Sequence, residues 1–155
     1  MTSFTESQRM FDSTFNKIII LLVTVLLGKI AYTNITEGFQ TSSILSLILL
    51  PLCIVLFVVF RVKTEINKDD IKVRITPFNL TNQTISWKDT KKVEVVEYSA
   101  IKEYGGWGYR RSKTGRAINP SGKFGLKIHY KDGTHLLIGT RKPEELKNFI
   151  QSIKK

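Results

Sequence analysis

An apolar stretch begins at Ile18, runs to Gly28 and continues past Lys29 through Ile30-Ala31-Tyr32 to Ile35. A second runs from Ile44 to Phe60, broken only by Ser46 and Pro51. A bilayer crossing needs about 20 mostly apolar residues. The first stretch reaches that length if Lys29, near its end, snorkels to the headgroups. The pattern therefore predicts transmembrane helices over 18–35 and 44–62, the second kinked at Pro51, with a short extracytoplasmic loop over 36–43. Residues 1–17 read as a polar tail or a short interfacial helix. A cleaved secretory signal fits less well, because no small-x-small site follows the first run and a second run comes soon after.

Beyond Val62 the hydrophobic period becomes two. Ile71, Val73 and Ile75 alternate with Lys72, Arg74 and Thr76; Val93, Val95 and Glu97 alternate with Glu94 and Val96; Leu126, Ile128 and Tyr130 alternate with Lys127, His129 and Lys131. Each reads as a half-buried antiparallel strand. Lys68-Asp69-Asp70 and Asn82-Gln83 read as hairpin turns. At Lys131-Asp132-Gly133 a three-residue loop with Gly133 left-handed sets Ile138 opposite Leu126 and Leu136 opposite Ile128. That register puts apolar against apolar at both pairs, which a two-residue loop does not. The last element is an amphipathic helix. Pro143 suits its first position, Glu144 and Glu145 its positive end, and Leu146, Phe149, Ile150 and Ile153 form one stripe. Such a stripe predicts that the helix covers the open end of the sheet or barrel before it.

Charge sharpens the division. The formal net charge is +11. Arg9, Lys17 and Lys29 balance Glu6, Asp12 and Glu37, so the whole excess lies in 61–155. Arg9 and Lys17 precede the first run, Arg61 and Lys63 follow the second, and 36–43 holds no Lys or Arg. The positive-inside rule then predicts both termini in the cytoplasm. Cys53 is the only cysteine, which excludes an intrachain disulfide; within an apolar run it reads as a small lipid-facing hydrophobe.

The densest basic cluster is Arg110, Arg111, Lys113 and Arg116, beside Tyr109 and the Gly105-Gly106-Trp107-Gly108 run. Four cations on a loop can grip lipid phosphates or, with Tyr109 alongside, RNA, and a domain tethered beside anionic lipid makes lipid the expected partner of the two. Trp107 reads either as a plug over a strand beside a glycine bulge or as an interfacial anchor. Lys68, Lys72 and Arg74 form a second group of cations, with Asp69 and Asp70 in the turn between them to repel phosphate. His129 and His135 stand opposite each other in the chosen register, yet two imidazoles fall short of a zinc ligand set. No nucleophile elbow, zinc-protease pattern or phosphate-cradling loop is present.

Ile85-Ser86-Trp87-Lys88-Asp89, the Gly105–Gly108 run, Lys131-Asp132-Gly133 and Ile138-Gly139-Thr140-Arg141-Lys142-Pro143-Glu144-Glu145-Leu146 together resemble small bacterial membrane proteins with a pleckstrin-homology (PH)-like domain behind two spans. The resemblance covers roughly Thr64 to Ile153, about one small domain. It implies a membrane α-helical hairpin followed by a mainly-β, PH-like domain over 63–155, with antiparallel sheets or a partly open barrel capped by one C-terminal helix. It also implies a location, the bacterial cytoplasmic membrane, but no catalytic residue. The expected function is a membrane-anchored, non-enzymatic module that binds a protein partner or itself at the inner face. One alternative is sensing of anionic lipid headgroups through Arg110, Arg111, Lys113, Arg116 and Trp107. Another is a regulatory subunit of a larger membrane complex, with Lys29 and the Pro51 kink at a helix–helix contact. No cofactor, metal, nucleic acid or small-molecule substrate is expected.

Overall fold

A computed structural model describes residues 3–9, 14–38, 41–77, 81–112 and 115–153. The chain divides into two compact units, one formed by 11–59 and the other by the residues on either side of it. The first unit contains helices α1 (Thr14–Glu37) and α2 (Thr41–Val59). Among the described residues one helix, over Lys17–Glu37, is long and apolar enough to cross a membrane. The expected membrane hairpin of two transmembrane helices is therefore corrected to one candidate span. The reason lies at the end of the second run. α2 stops at Val59, and Arg61 already opens a strand whose Val62 is buried in the β-rich unit. The helical part of the second run is thus three residues shorter than the expected 44–62 span, because Phe60 lies outside the helix and Arg61 and Val62 belong to the sheet. The side chain of Cys53 lies outside the described residues.

The second unit holds two sheets. The first has the order β1-β2-β3-β4, made by Phe4–Arg9, Arg61–Ile66, Asp70–Thr76 and Asn82–Ser86. After a 3-10 turn at Trp87–Asp89, the second has the order β5-β8-β9-β7-β6. Its strands are β5 (Thr90–Glu97), β6 (Gly108–Arg111), β7 (Gly115–Asn119), β8 (Phe124–Tyr130) and β9 (His135–Thr140), and the one-turn helix α3 (Ala100–Tyr104) lies between β5 and β6 in sequence. Ile66, Ile71, Val73 and Ile75 of the first sheet share one buried cluster with Ile118, Leu126, Ile128, Leu136 and Ile138 of the second. Helix α4 (Pro143–Ile153) adds Leu146, Phe149 and Ile150 to that cluster. The amphipathic stripe thus covers the core, as its spacing requires.

The β8–β9 hairpin has the register chosen on apolar pairing: Leu126 faces Ile138, Ile128 faces Leu136 and His129 faces His135. Gly133 is left-handed, at φ 86°, and the Asp132 carboxylate accepts from the Thr134 amide at 2.8 Å. Three details differ from expectation. Asn82 and Gln83 belong to β4, paired with Arg74 and Val73, instead of forming a turn. β7 and β9 run parallel, so the second sheet is mixed where antiparallel sheets were expected. Residues 4–9, read as part of a polar tail, form an edge strand paired with β2 from Phe4↔Ile66 to Arg9↔Arg61.

β1 is held from a second direction. Phe4 is buried and its ring lies 6.2 Å from that of Phe149. The Glu6 carboxylate accepts from Thr140 Oγ1 at 2.6 Å and from the Arg141 amide at 2.9 Å. Gln8 Nε2 donates to the Gly139 carbonyl at 2.7 Å. A strand with one inward apolar residue is fixed by polar bonds to the end of β9.

Candidate functional site

Ser99 caps α3, accepting from the Lys102 amide at 3.4 Å, while its own amide donates to Glu103 Oε1 at 2.8 Å. Gly105, left-handed at φ 69°, ends the helix after five residues. The glycine run is therefore a helix terminus leading into a strand, not a bulge within one. Trp107 packs, half-buried, against a second cluster made by Tyr98, Ala100, Tyr104, Ala117 and Leu137. Of the two readings of Trp107, covering a strand is the one this packing matches.

The cluster 110–116 is a hairpin instead of a loop. β6 pairs with β7 through Gly108↔Asn119, Tyr109↔Ile118, Arg110↔Ala117 and Arg111↔Arg116, and the Ser112 amide donates to the Gly115 carbonyl at 2.8 Å. Lys113 lies outside the described residues. Side chains alternate across a strand, and this separates the arginines. Tyr109, Arg111 and Arg116 share the face of Ile118, which belongs to the main core. Arg110 shares the opposite face with Ala117, which belongs to the second cluster. Its Nε donates to the Trp107 carbonyl at 2.9 Å.

The electrostatics are one-signed. Arg111 and Arg116 are direct cross-strand partners, an arrangement that like charges make unfavourable. Among the described residues neither these two nor Arg110 forms an ion pair with a carboxylate. Burial would raise the Tyr109 phenol, but hydrogen bonding and charge from Arg116 and Arg111 hold it below its ordinary value. Such a site attracts an anion.

The other candidates are placed differently. Lys72 pairs with Asp70 at 3.3 Å, which occupies one cation of the Lys68, Lys72, Arg74 set. His129 Nε2 meets Glu94 Oε1 at 3.1 Å, and His135 Nε2 meets the Tyr104 hydroxyl at 3.1 Å. Among the described residues no group of three or more His, Cys, Asp or Glu could hold a metal ion. Sequence reasoning missed α3 and the partition of the arginines between two faces. The Ser99, Glu103 and Gly105 capping pattern was a legible signal for the first. Nothing in the local pattern of Tyr109-Arg110-Arg111 announces an edge strand. No protein-family model matches the chain, and no curated protein matches it either.

Proposed function

We propose that this protein is a membrane-anchored, non-enzymatic interaction module that engages an anionic partner protein through the β6–β7 hairpin. The observation that carries this reading is the Arg111–Arg116 pair, two cations set opposite each other on an edge hairpin and, among the described residues, without a carboxylate ion-pair partner. Like charges directly opposed destabilise a sheet, and a bound anion relieves that cost.

The apolar α1, with Ile18, Leu21, Leu22 and Val25 exposed, supports attachment to a membrane. The β1–β2 pairing holds Phe4–Arg9 and the chain after residue 60 together in the β-rich unit. The basic excess beyond residue 60 supports a cytoplasmic position for that unit. A PH-like outline is part of the proposal, supported by two sheets sharing a core with a C-terminal helix. The parallel β7–β9 pair and the N-terminal β1 depart from a plain series of hairpins.

Site-specific photo-crosslinking in native membranes tests the assignment. A benzophenone side chain at Tyr109 should give a discrete adduct that is lost with Arg111→Gln plus Arg116→Gln, while one at the exposed Glu65 should give none. The same adducts from both positions, or none from either, would remove the hairpin from consideration.

A further inference from the structure

The module reading leaves open how a partner would be held, and the backbone of β6 answers that. β6 ends the second sheet, with β7 on one side and, among the described residues, no strand on the other. Hydrogen-bonded and non-hydrogen-bonded pairs alternate along an antiparallel ladder. Since Ser112 and Gly115 are bonded, Arg110 and Gly108 direct their N–H and C=O groups at β7. Tyr109 and Arg111 direct theirs outward. We infer that β6 is an acceptor edge for strand addition by an extended acidic segment of a partner protein, with adjacent carboxylates meeting Arg110 on one face and Arg111 on the other. This rests on the interaction-module reading and names the partner's chemistry.

The distribution of charge decides between an extended chain and a lipid surface. A flat bilayer meets one face of a strand, whereas Arg110 and Arg111 point to opposite faces. An extended segment beside β6 alternates its own side chains and reaches both. Two consecutive acidic residues would each find an arginine, and the Arg111–Arg116 repulsion would be screened by the one on that face. The outward backbone groups of Tyr109 and Arg111 would supply the register.

The remaining edges fit less well. β4 carries no charge over Asn82–Ser86. β5 mixes Lys91 and Lys92 with Glu94 and Glu97, and Lys92 pairs with Glu94 at 2.7 Å. β1 is tied to the end of β9 by Glu6 and Gln8. A second copy of the chain is a poor occupant too. β6 beside β6 sets arginine against arginine, and the adjacent acidic pairs Asp69-Asp70 and Glu144-Glu145 sit at a strand turn and a helix start.

The test uses full-length protein in detergent and fluorescence anisotropy of short labelled peptides with two adjacent glutamates in a Thr/Val frame. At low ionic strength the acidic peptide should bind about tenfold tighter than its glutamine counterpart, as two exposed ion pairs allow. Methylating the peptide's edge-facing backbone nitrogens should weaken binding about tenfold while leaving its charge intact, since it removes only ladder bonds. The Arg110→Gln plus Arg111→Gln protein should no longer distinguish glutamate from glutamine. Equal binding of the methylated peptide, or its displacement by glycerophosphoserine as readily as the unmodified one, would overturn strand addition in favour of a simple anion site. Failure of every peptide while Tyr109 crosslinks persist would overturn the edge and leave the module reading standing; loss of both would end both.

Discussion

Tyr98 sits where the second cluster meets the chain leaving β7, 5 % exposed. Its hydroxyl, with Asn119 Oδ1, Ser121 Oγ and Gln8 Oε1, is buried without a hydrogen-bond partner among the described residues. Burial pushes its pKa up to about 12, the Asn119 side chain offsetting part of the effect. The sign of the consequence follows from linkage. The folded state keeps this proton to higher pH than the unfolded chain does. Its contribution is therefore complete below about pH 10 and is lost as the pH rises toward 12. After allowance for solvent screening, the expected loss is about 1–2 kcal/mol. Both tryptophans, Trp87 and Trp107, lie in the β-rich unit, so their fluorescence reports its unfolding. Urea titrations on either side of this window should show the loss in the native protein and not in Tyr98→Phe. At neutral pH the substitution should change stability by less than about 1 kcal/mol, because the buried hydroxyl it removes has at most the weak Asn119 interaction to lose. An unchanged alkaline loss in Tyr98→Phe would assign it to other groups.

At the scale of elements, legibility follows from how many faces are buried. β3 and β8 alternate because one face meets the core and the other meets solvent or polar neighbours, so a period of two was visible. β7 and β9 present consecutive buried residues, Ala117-Ile118 and Leu136-Leu137-Ile138. Their two faces serve the main core and the second cluster, and the alternation disappears. β1 was illegible for the opposite reason. Two of its three inward residues, Glu6 and Gln8, are polar, and what satisfies them lies at the far end of the sequence. The physical claim about β1 is testable. Phe4→Ala should cost about 3–4 kcal/mol, as truncation of a buried aromatic does, and Glu6→Gln about 1–2 kcal/mol through its lost charge-assisted bonds. Deleting residues 1–9 should leave the β-rich unit unable to give a cooperative urea transition. A deletion variant with an unchanged midpoint would mean that β1 contributes nothing to the fold.

For the whole molecule, the charge division between the first sixty residues and the rest was legible from composition, and the basic cluster was found as a set of residues. What one dimension could not convey is that the apolar segment interrupts a β-hairpin. Arg9 and Arg61 are cross-strand partners, so the backbone leaves the sheet and returns to it about 5 Å away. Residues 11–59 are an insertion between neighbouring strands, and among the described residues no strand of the β-rich unit comes from within them. Replacing that segment by a short glycine-containing turn closes the hairpin that the fold already contains. The shortened chain should fold with the tryptophan emission and urea transition of the parent and remain in the supernatant after ultracentrifugation, while the full-length chain sediments with membranes. If the shortened chain folds but still sediments, α1 is not the anchor. If it stays soluble but shows no cooperative transition, the β-rich unit depends on the helices and the division into two units is wrong.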